Sequence, residues 1–488
     1  MRDRVVLVNT SNTACSSVAR KLRAEHIYCR VLSADEALKD LRQPGAKGII
    51  VPGDSNGEGT ENPNYAALLD SGLPLLAMGD AALSLCVFLG GTLGEKASEP
   101  KVAQVHYAGE DPAFADVEDG ERYFPALRTM NLPKGATAVA QAEEGILGFC
   151  MAESKTYGLS FCVEQNDPDG VTLLRNFCVT VCGCDPWWET GLVIEQARRE
   201  IEECAGDGEA ICALSGGVDS GVCAVIGNMV LGHRLHCVFV DTGLLRAEEG
   251  DRVATYFQDT MGLNFKRVDA SERFLAALRG VTDASEKERV VSNLLRTVLE
   301  EEVAAVPNVK LILEGTNYSD SLSHGLPVPE PTVIDGVHIV APVRELFKNE
   351  VRDLAEEIGL ASWMINRQPF PGSGLALRIF GEVTDEKLTI LRQADVLFRN
   401  ELRQTGQNRR LWKYFATLAE DPAGQKDQPY VIILRAVQAV DGSSAIASRV
   451  SYDVLERACQ SIREASPKVR RVLYDLTPSK GIAEIEWY

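Results

Sequence analysis

A glycine-rich segment between an apolar strand and an apolar helix constrains this chain more than any other part of its sequence. It follows the run AICA, precedes VCAVIGNMVL and reads Leu214-Ser215-Gly216-Gly217-Val218-Asp219-Ser220-Gly221. Adjacent glycines permit a tight turn in which successive backbone N–H groups converge, and the helix N-terminus adds the positive end of its dipole. The segment therefore predicts an anion-binding loop at one end of a parallel α/β sheet.

The polar side chains of this loop suit a phosphate group. Ser215 and Ser220 supply hydroxyl donors. Asp219 would repel a phosphate unless a cation or a capped N–H group lies between them, and Mg²⁺ is the natural partner. We therefore predict that Asp219 is a metal ligand. The alternative interpretation is a glycine-rich turn that a serine or aspartate caps.

Short apolar strands alternate with helical stretches through most of the chain, which predicts parallel α/β sheets. The buried-strand runs are VVLV (5–8), GIIVPG (48–53), PLLAMG (74–79), EAICALSGG (209–217), HCVFVDTG (236–243), KLILEGT (310–316) and HIVAPV (338–343). Further on, two strands and two helices predict a small α+β unit. We expect an α/β protein with two doubly wound parallel-sheet domains (1–185 and 186–366) and a small α+β domain (367–488).

Composition and charge exclude several classes of protein. The formal net charge of −20 argues against binding nucleic acid by counterion release. No apolar run is long enough to span a bilayer, and the N-terminus lacks a signal-peptide core, so we expect no membrane partner. The 13 cysteines contain no C-x-x-C pair, which favours a reduced, cytoplasmic compartment. We predict that Cys178, Cys182 and Cys184 are small buried hydrophobic residues; the alternative is a metal or redox site.

Several strings together resemble one family. SGGVDS resembles the pyrophosphate loop of N-type ATP pyrophosphatases, which adenylate a carbonyl oxygen and release pyrophosphate. The strings that narrow the resemblance to GMP synthetases are VFVDTGLLR (238–246), EGTNYSD (314–320), PVRELFKNEVR (342–352), RQPFPGSGLALRIFGEVT (367–384), LRQAD (391–395) and the final IEWY. They run in the family's order from about residue 186 to the end. The resemblance implies ATP, Mg²⁺ and a purine nucleotide, XMP, as ligands.

The resemblance also implies roles for individual residues. Asp219 and Lys348 would be catalytic, Lys348 on the departing pyrophosphate, and Asp219 would also hold the metal. The implied ATP-binding residues are Ser215, Gly216, Gly217, Val218, Asp219, Ser220, Gly221, Asp241 and Gly315. The implied acceptor-binding residues are Arg246, Gln428, Lys480, Ile485 and Glu486. The C-terminal domain dimerises in the family, which implies a homodimer.

The chain departs from the family's pattern mainly around the acceptor. A basic lid string resembling KRKIIG reads EKERVVS (286–292), which keeps Lys287 and Arg289. The ending KPPATIEWE reads KGIAEIEWY, and a loop that commonly carries an arginine offers Gln425 or Gln428 instead. The leading hypothesis is amination of XMP to GMP. The alternatives are a different purine nucleotide as acceptor, or a non-catalytic nucleotide-binding regulatory protein.

Residues 1–185 resemble a class I glutamine amidotransferase whose catalytic residues are missing. In the string LAMGDAAL (76–83), Gly79 stands where the family has its nucleophilic cysteine. In GLSFCVE (158–164), Cys162 replaces the histidine base and only Glu164 matches. Cys86 lies about 10 Å along the following helix from the elbow. We predict that this domain is inactive, so that ammonia is free or comes from a separate glutaminase. The domain would then serve packing or partner contact, or bind glutamine without cleaving it.

Overall fold

In the computed structural model, the chain forms two compact units. One comprises Met1–Leu192 and Ser319–Val328, and the other Val193–Tyr318 and Pro329–Tyr488. The structure describes residues 2–59, 62–162, 168–323, 331–368, 370–439 and 444–480. None of the helices in these ranges has the length and apolar character of a membrane span.

The first unit is built on a mixed β-sheet. Its strands are β1 (Arg4–Val8), β2 (Cys29–Leu32), β3 (Ala46–Pro52), β4 (Leu75–Met78), β5 (Thr92–Lys96), β6 (Lys101–Tyr107), β7 (Gly120–Phe124), β8 (Arg128–Asn131), β9 (Thr137–Ala142), β10 (Gly145–Met151) and β11 (Thr156–Leu159). The sheet order is β2-β1-β3-β4-β11-β10-β9-β6-β7, while β5 pairs with β8. Within this sheet, the neighbouring strands β2, β1, β3, β4 and β11 pair in parallel. The remaining pairs, from β11 through β10, β9 and β6 to β7, are antiparallel.

Helices follow the parallel strands of this unit. They are α1 (Asn12–Ala24), α2 (Ala34–Asp40), α3 (Tyr65–Asp70), α4 (Asp80–Phe88) and α5 (Pro168–Asn176). Ser33 and Glu36 form a capping box that fixes the start of α2. Every residue of β1 is buried, as its continuous apolar run predicts for a central parallel strand.

Two tryptophans attach the end of the first unit to its sheet. The Trp187 indole Nε1 donates to the Asp3 carbonyl oxygen at 2.7 Å. Trp188 is buried, stacks on Tyr28 at 5.0 Å between ring centroids and lies under the Arg23 guanidinium at 3.8 Å. This segment therefore belongs to the first unit, whose first stretch of chain ends at Leu192.

The second unit contains a further parallel sheet. Its strands are β12 (Glu209–Leu214), β13 (Leu235–Asp241), β14 (Phe265–Asp269), β15 (Val309–Leu313), β16 (Thr332–Ile334) and β17 (Val337–Val340). Their order is β14-β13-β12-β15-β17-β16, and only the edge strand β16 runs antiparallel among the described strands. The helices are α6 (Thr190–Ala205), which begins in the first unit, α7 (Val218–Leu231), α8 (Glu249–Ala254), α9 (Ser271–Ala277), α10 (Ala284–Ala305), α12 (Lys348–Glu357) and α13 (Ser362–Ile365). All of α11 (Tyr318–Ser323) except its first residue belongs to the first unit.

A small mixed sheet and two helices form the last part of the chain that the structure describes. The elements are α14 (Asp385–Gln404), β18 (Lys413–Gln425), β19 (Gln428–Ala439), β20 (Ser444–Ala447), α15 (Tyr452–Ala465), β21 (Val469–Tyr474) and β22 (Ser479–Lys480). One apolar core joins this part to the parallel sheet, since Val238 and Leu244 share it with Phe398 and Ile432. The predicted class, α/β with a small α+β part at the C-terminal end, is confirmed. The three-domain division stays a prediction.

Candidate functional site

The predicted phosphate loop connects β12 to α7 in a pre-formed turn. Gly216 has φ +72°, and a Cβ there would lie 2.8 Å from a Val253 methyl group, so this position requires glycine. The backbone N–H of Ser215 donates to Ser220 Oγ at 3.1 Å, and that of Gly217 donates to Ser215 Oγ at 3.3 Å. The two serine hydroxyls lie 3.0 Å apart. Both serines therefore already hold the turn.

Gly315 lies against this turn. A Cβ at residue 315 would lie 2.9 Å from the Ser220 backbone nitrogen, so a side chain there would displace the start of α7. The segment after β15 can approach the loop only because it carries glycine. Gly221 is similarly confined, since its Cβ would meet the Met364 sulfur at 3.0 Å.

Asp219 and Lys348 form an ion pair beside the loop. Lys348 is the first residue of α12, and its Nζ pairs with Asp219 Oδ2. Asn317 Nδ2 donates to the other carboxylate oxygen, Oδ1, at 3.2 Å. The Lys348 side chain is 38% exposed and that of Asp219 is 17% exposed, so solvent and ligands reach both. The structure thus brings together the two residues that we predicted to be catalytic.

These residues line a cavity of about 340 Å³. Its polar wall contains Ser215, Gly217, Asp219 and Lys348. Its apolar lining includes Val238, Phe239, Val240, Leu295, Leu299, Met364 and Phe370. An apolar pocket with a few convergent polar groups is typical of a small-molecule site.

Two arginines of this cavity were missing from our prediction. Arg352 and Arg367 both line it. The Nε of each is buried and has no hydrogen-bond partner among the described residues, while Arg367 Nη2 pairs with Glu249 Oε1 at 2.6 Å. Both lie in strings that carried the family resemblance, but the strings alone did not single them out.

Asp241, which we predicted to contact ATP or Mg²⁺, ends β13 and is engaged elsewhere. Its Oδ2 pairs with Arg267 Nη2 at 2.5 Å, and its Oδ1 accepts from the Gly243 backbone N–H at 3.0 Å. Asp241 does not line the cavity. Its contact with ATP stays a prediction, one that requires the Arg267 pair to open.

A second cavity, of about 660 Å³, lies in the same unit and is rich in arginine. The charged residues that line it are Arg246, Arg252, Arg367, Arg399 and Arg403 on the basic side and Glu248, Glu249 and Asp395 on the acidic side. The Arg246 side chain is only 9% exposed, and burial lowers the pKa of its guanidinium to about 10. Its guanidinium carbon lies 4.3 Å from the Phe370 ring centroid. An arginine so buried in an excess of positive charge is suited to bind an anion.

The other predicted acceptor residues are not brought to this cavity by the described part of the chain. Gln428 is half-buried in the β18–β19 hairpin, where its Nε2 donates to the Pro467 carbonyl at 3.3 Å. Neither cavity has Gln428 in its lining. The Lys480 side chain, Ile485 and Glu486 lie outside the described residues.

Lys287, the lysine kept in the string that resembles the family's basic lid, is buried in the structure. Lys287 on α10 is fully buried, and its Nζ donates to the carbonyl oxygens of Ile379 at 2.6 Å and Ala376 at 3.3 Å. Burial lowers the pKa of its amine to about 8. Arg289 pairs instead with Glu286 on the helix surface.

In the first unit, Gly79 stands at a sharp turn between β4 and α4. Its backbone dihedral angles are φ +59° and ψ −135°, a combination that residues other than glycine adopt only under strain. A Cβ at this position would lie 2.3 Å from the Asp54 carbonyl oxygen and 2.7 Å from both the Gly53 carbonyl oxygen and Cys162 Sγ. The elbow shape is therefore present, but the space for a nucleophile is filled.

The neighbouring groups are also committed to one another. Cys162 Sγ donates to the Gly53 carbonyl oxygen at 2.6 Å, and burial raises the pKa of this thiol to about 12. The Asp80 backbone N–H donates to the Asp54 carbonyl oxygen at 2.7 Å. Asp80's carboxylate accepts from the Gly57 backbone N–H at 2.8 Å. Glu164 lies outside the described residues.

The remaining cysteines do not form a metal site in the part of the chain that the structure describes. A search there finds no group of three or more His, Cys, Asp or Glu side chains that could hold a metal ion. Cys178 and Cys184 are buried, and burial raises the pKa of both thiols. Burial likewise raises the pKa of Cys86, on α4, to about 11. These cysteines fit the interpretation as small core residues.

Two family models match parts of the second unit, and known proteins match essentially the whole chain. Residues 193–390 match the family described as NAD synthase, and residues 400–487 match the GMP synthase C terminal domain. The chain is 36% identical to "GMP synthase [glutamine-hydrolyzing]" of Caldicellulosiruptor saccharolyticus, over 96% of each chain. It is 34% identical to the proteins of the same description in Caldanaerobacter subterraneus and Clostridium botulinum, over 100% of this chain and 99% of theirs. At this identity over essentially its full length, the chain belongs to the GMP synthase family.

Proposed function

We propose that the chain uses ATP to convert XMP and ammonia to GMP, with AMP and pyrophosphate as the other products. Membership of the GMP synthase family makes it an ATP-dependent C–N ligase. The observation that carries the proposal is the Asp219–Lys348 pair in the lining of the same cavity as the phosphate loop. Lys348 there is placed to neutralise a departing pyrophosphate, which a protein that only binds a nucleotide has no need to release.

Adenylation would take place at the first cavity. The C2 oxygen of XMP attacks the α-phosphorus of ATP, a P–O bond forms, and the bond to pyrophosphate breaks. Ser215, Ser220 and the backbone N–H groups at the start of α7 would hold the phosphates. Lys348 would neutralise the negative charge that develops on pyrophosphate as it leaves, which is the kind of electrostatic stabilisation that most lowers a barrier to phosphoryl transfer.

Amination would complete the reaction. Ammonia attacks C2 of the adenylated purine, the C2–O bond breaks, and AMP leaves with that oxygen. The acceptor nucleotide would bind in the arginine-rich cavity through Arg246. In support of this role, the Arg246 guanidinium makes no hydrogen bond within the described residues, and its nearest acid, Asp395, is 3.6 Å away.

Mg²⁺ fits the first cavity as an ion carried by the nucleotide. Asp219 supplies one carboxylate, and Mg²⁺ is commonly held by one or two carboxylates together with substrate phosphates and water. When bound, Mg²⁺ would neutralise phosphate charge. Asp219 would then exchange its pairing with Lys348 for the metal and leave the lysine to the phosphates.

The ammonia would not come from glutamine cleaved by this chain. Gly79 offers no nucleophile, and the Cys162 thiol, with a pKa of about 12, is protonated near neutral pH. The Asp80 N–H follows the elbow, where an amidotransferase stabilises its oxyanion, and it already binds the Asp54 carbonyl oxygen. Because this N–H group is already occupied, we favour a packing or partner-contact role for the domain over glutamine binding.

One experiment tests the proposal. The purified chain is incubated with Mg-ATP and XMP, with either ammonium chloride or glutamine, and pyrophosphate and GMP are measured. We expect GMP from ammonium and none from glutamine. If pyrophosphate is released only with another purine monophosphate, that nucleotide rather than XMP is the acceptor. If the chain binds ATP but releases no pyrophosphate with any nucleotide, the catalytic role is refuted. The molar mass in solution tests the homodimer that the resemblance implies.

A further inference from the structure

A half-buried carboxylate without a partner lies at the end of strand β15. Glu314 directly follows this strand, and its backbone N–H donates to the Val340 carbonyl oxygen on β17 at 3.0 Å. In the part of the chain that the structure describes, the Glu314 carboxylate makes neither a hydrogen bond nor an ion pair. A carboxylate that leaves water without a partner is costly. Glu314 therefore offers an open position for a cation.

The strand register determines which side of the sheet this carboxylate is on. Cys212 on β12 is the register partner of Leu313 on β15. Cys212 faces α7, because its Sγ donates to the Ser220 carbonyl oxygen at 3.9 Å. Leu313 faces α7 as well, because a Cβ at Gly227 would lie 2.6 Å from its Cδ1. The residues that follow these two on their strands must therefore face the other way.

The residue after Cys212 connects this side of the sheet to the first cavity. Side chains alternate between the two faces of a strand, so Ala213 and Glu314 both face away from α7. Because β12 and β15 are parallel neighbours, Glu314 lies beside Ala213. Ala213 lines the first cavity, whereas Glu314 is not part of the lining. The carboxylate thus borders the cavity from the β15 side.

The backbone around Glu314 is held against the start of α7. Cys223 on α7 donates from its Sγ to the Glu314 carbonyl oxygen at 3.5 Å. A Cβ at the next residue, Gly315, would lie 2.9 Å from the Ser220 backbone nitrogen. The segment that carries the carboxylate therefore packs directly on the phosphate loop, next to the groups that would hold ATP.

Burial makes the Glu314 carboxylate a better base. It raises the pKa of this carboxyl, because leaving water disfavours the charged form. Helix α7 contains two titratable groups, Asp219, which pairs with Lys348, and Cys223, whose thiol pKa burial raises. The neighbouring residues on β12 and β17 are an alanine and a valine, and α10 lines the cavity with leucines. Glu314 is therefore an unpaired base whose pKa is closer to neutral than that of an exposed carboxyl.

The nitrogen donor of the proposed reaction arrives in a form that needs a base. Gly79 leaves the first unit without a nucleophile to cleave glutamine, so the nitrogen would come from solution. Amines are protonated near neutral pH, and ammonium, unlike ammonia, has no lone pair with which to attack carbon. The net charge of −20 attracts such a cation to the chain. Ammonium can therefore reach the site readily, but it cannot react until it loses a proton.

We propose that Glu314 is a catalytic residue that binds ammonium and takes a proton from it beside the adenylated purine. The inference rests on the proposed function for the reaction itself. One N–H bond of ammonium breaks, the proton goes to a Glu314 carboxylate oxygen, and the electron pair stays on nitrogen. That pair forms the bond to C2 while the C2–O bond breaks and AMP leaves. The new amino group then loses its surplus proton to water, and Glu314 returns its own proton to water as well.

The pH dependence of GMP formation tests which form of the nitrogen the chain uses. With Mg-ATP and XMP saturating, we expect the wild-type kcat/KM for total ammonium to change less than about twofold from about pH 7 to about pH 9. Glu314→Gln keeps the shape but accepts no proton, so it depends on free ammonia. Its kcat/KM should be about 10²-fold lower at about pH 7 and approach the wild-type value by about pH 9. KM for ATP and for XMP should not change.

Two controls separate this role from a structural one. Glu356→Gln, at an exposed position on α12, removes the same charge and should follow the wild-type profile. Exchange of labelled pyrophosphate into ATP, with XMP but without ammonium, should be equal in Glu314→Gln and in the wild type, because adenylation precedes the step that needs the base.

The wild-type profile decides even if the variant does not fold. A wild-type rate that rises about tenfold per pH unit, as the fraction of free ammonia does, would overturn the role of Glu314. Equal profiles for the wild type and Glu314→Gln would overturn it too, with the proposed function intact. A wild type that neither exchanges pyrophosphate nor forms GMP at any pH would refute the proposed function and this role with it.

Discussion

The closed site of the first unit makes a sharp prediction about restoring glutaminase chemistry. The variant Gly79→Cys/Cys162→His puts back both residue types that an amidotransferase uses as nucleophile and base. We expect it to release no ammonia from glutamine. The reason is geometric, since the new Cβ would lie 2.3 Å from the Asp54 carbonyl oxygen and this oxygen also occupies the Asp80 N–H.

The cost of this change follows from the backbone at Gly79. A residue with a side chain at φ +59°, ψ −135° carries strain of about 1–3 kcal/mol. Overpacking against two carbonyl oxygens adds about 1–3 kcal/mol. At about 2–4 °C per kcal/mol for a domain of this size, the melting transition of the first unit should fall by roughly 4–24 °C.

Differential scanning calorimetry and a coupled ammonia assay measure both expectations. Gly72→Cys is the matched control, because Gly72 also has a positive φ, +69°, but a Cβ there meets no atom within 4 Å. It should show the smaller cost of an unfavourable φ and nothing more. Ammonia release by the double variant, or a melting temperature equal to that of the control, would refute the reasoning.

Three further predictions concern the rest of the molecule. Lys348→Ala should slow pyrophosphate release by about 10²–10³-fold because it removes charge stabilisation of the leaving group, whereas Lys310→Ala, at an exposed site, should leave the rate unchanged. The folded pKa of Lys287 is about 8, below the unfolded value of about 10.4, so only the unfolded chain keeps this proton between these values. The free energy of unfolding of the wild type, relative to Lys287→Met, should therefore rise from pH 8 to about pH 10 in denaturant titrations; a flat difference would contradict the burial of this amine. Trp188→Ala should destabilise the first unit by about 3–5 kcal/mol, while Tyr452→Ala, whose side chain is 77% exposed, should change stability by less than about 0.5 kcal/mol; equal effects would refute the attachment of the first unit's end.

Local patterns predicted the fold well because each carries its own physical constraint. The run VVLV (5–8) lies within β1, and EAICAL (209–214) forms β12 directly before the phosphate loop. Glycine at residue 216 requires a positive φ, and the structure has one. These features depend only on neighbours in sequence, so periodicity and turn chemistry suffice to find them.

Contacts between distant segments were not predictable in the same way. The partner of Asp241 is Arg267, and nothing in the spacing of the two indicates the pairing. The string EKERVVS (286–292) gives no sign that Lys287 is buried, yet tertiary packing buries its amine against backbone carbonyls. The pair of Arg367 and Glu249 likewise has no local signal, because it joins two segments that are distant in sequence.

The carbonyl oxygen of Asp54 has a consequence for how this chain can change over time. A return to glutamine cleavage needs a thiol at residue 79, an imidazole at residue 162 and a displaced main chain at residues 53–54. Each step alone lowers stability and supplies no activity, so selection has nothing to retain along the way. If the proposed function holds, the chain would thereby depend on an outside supply of ammonia, and variation in its first unit would be free to follow the needs of packing or of a partner.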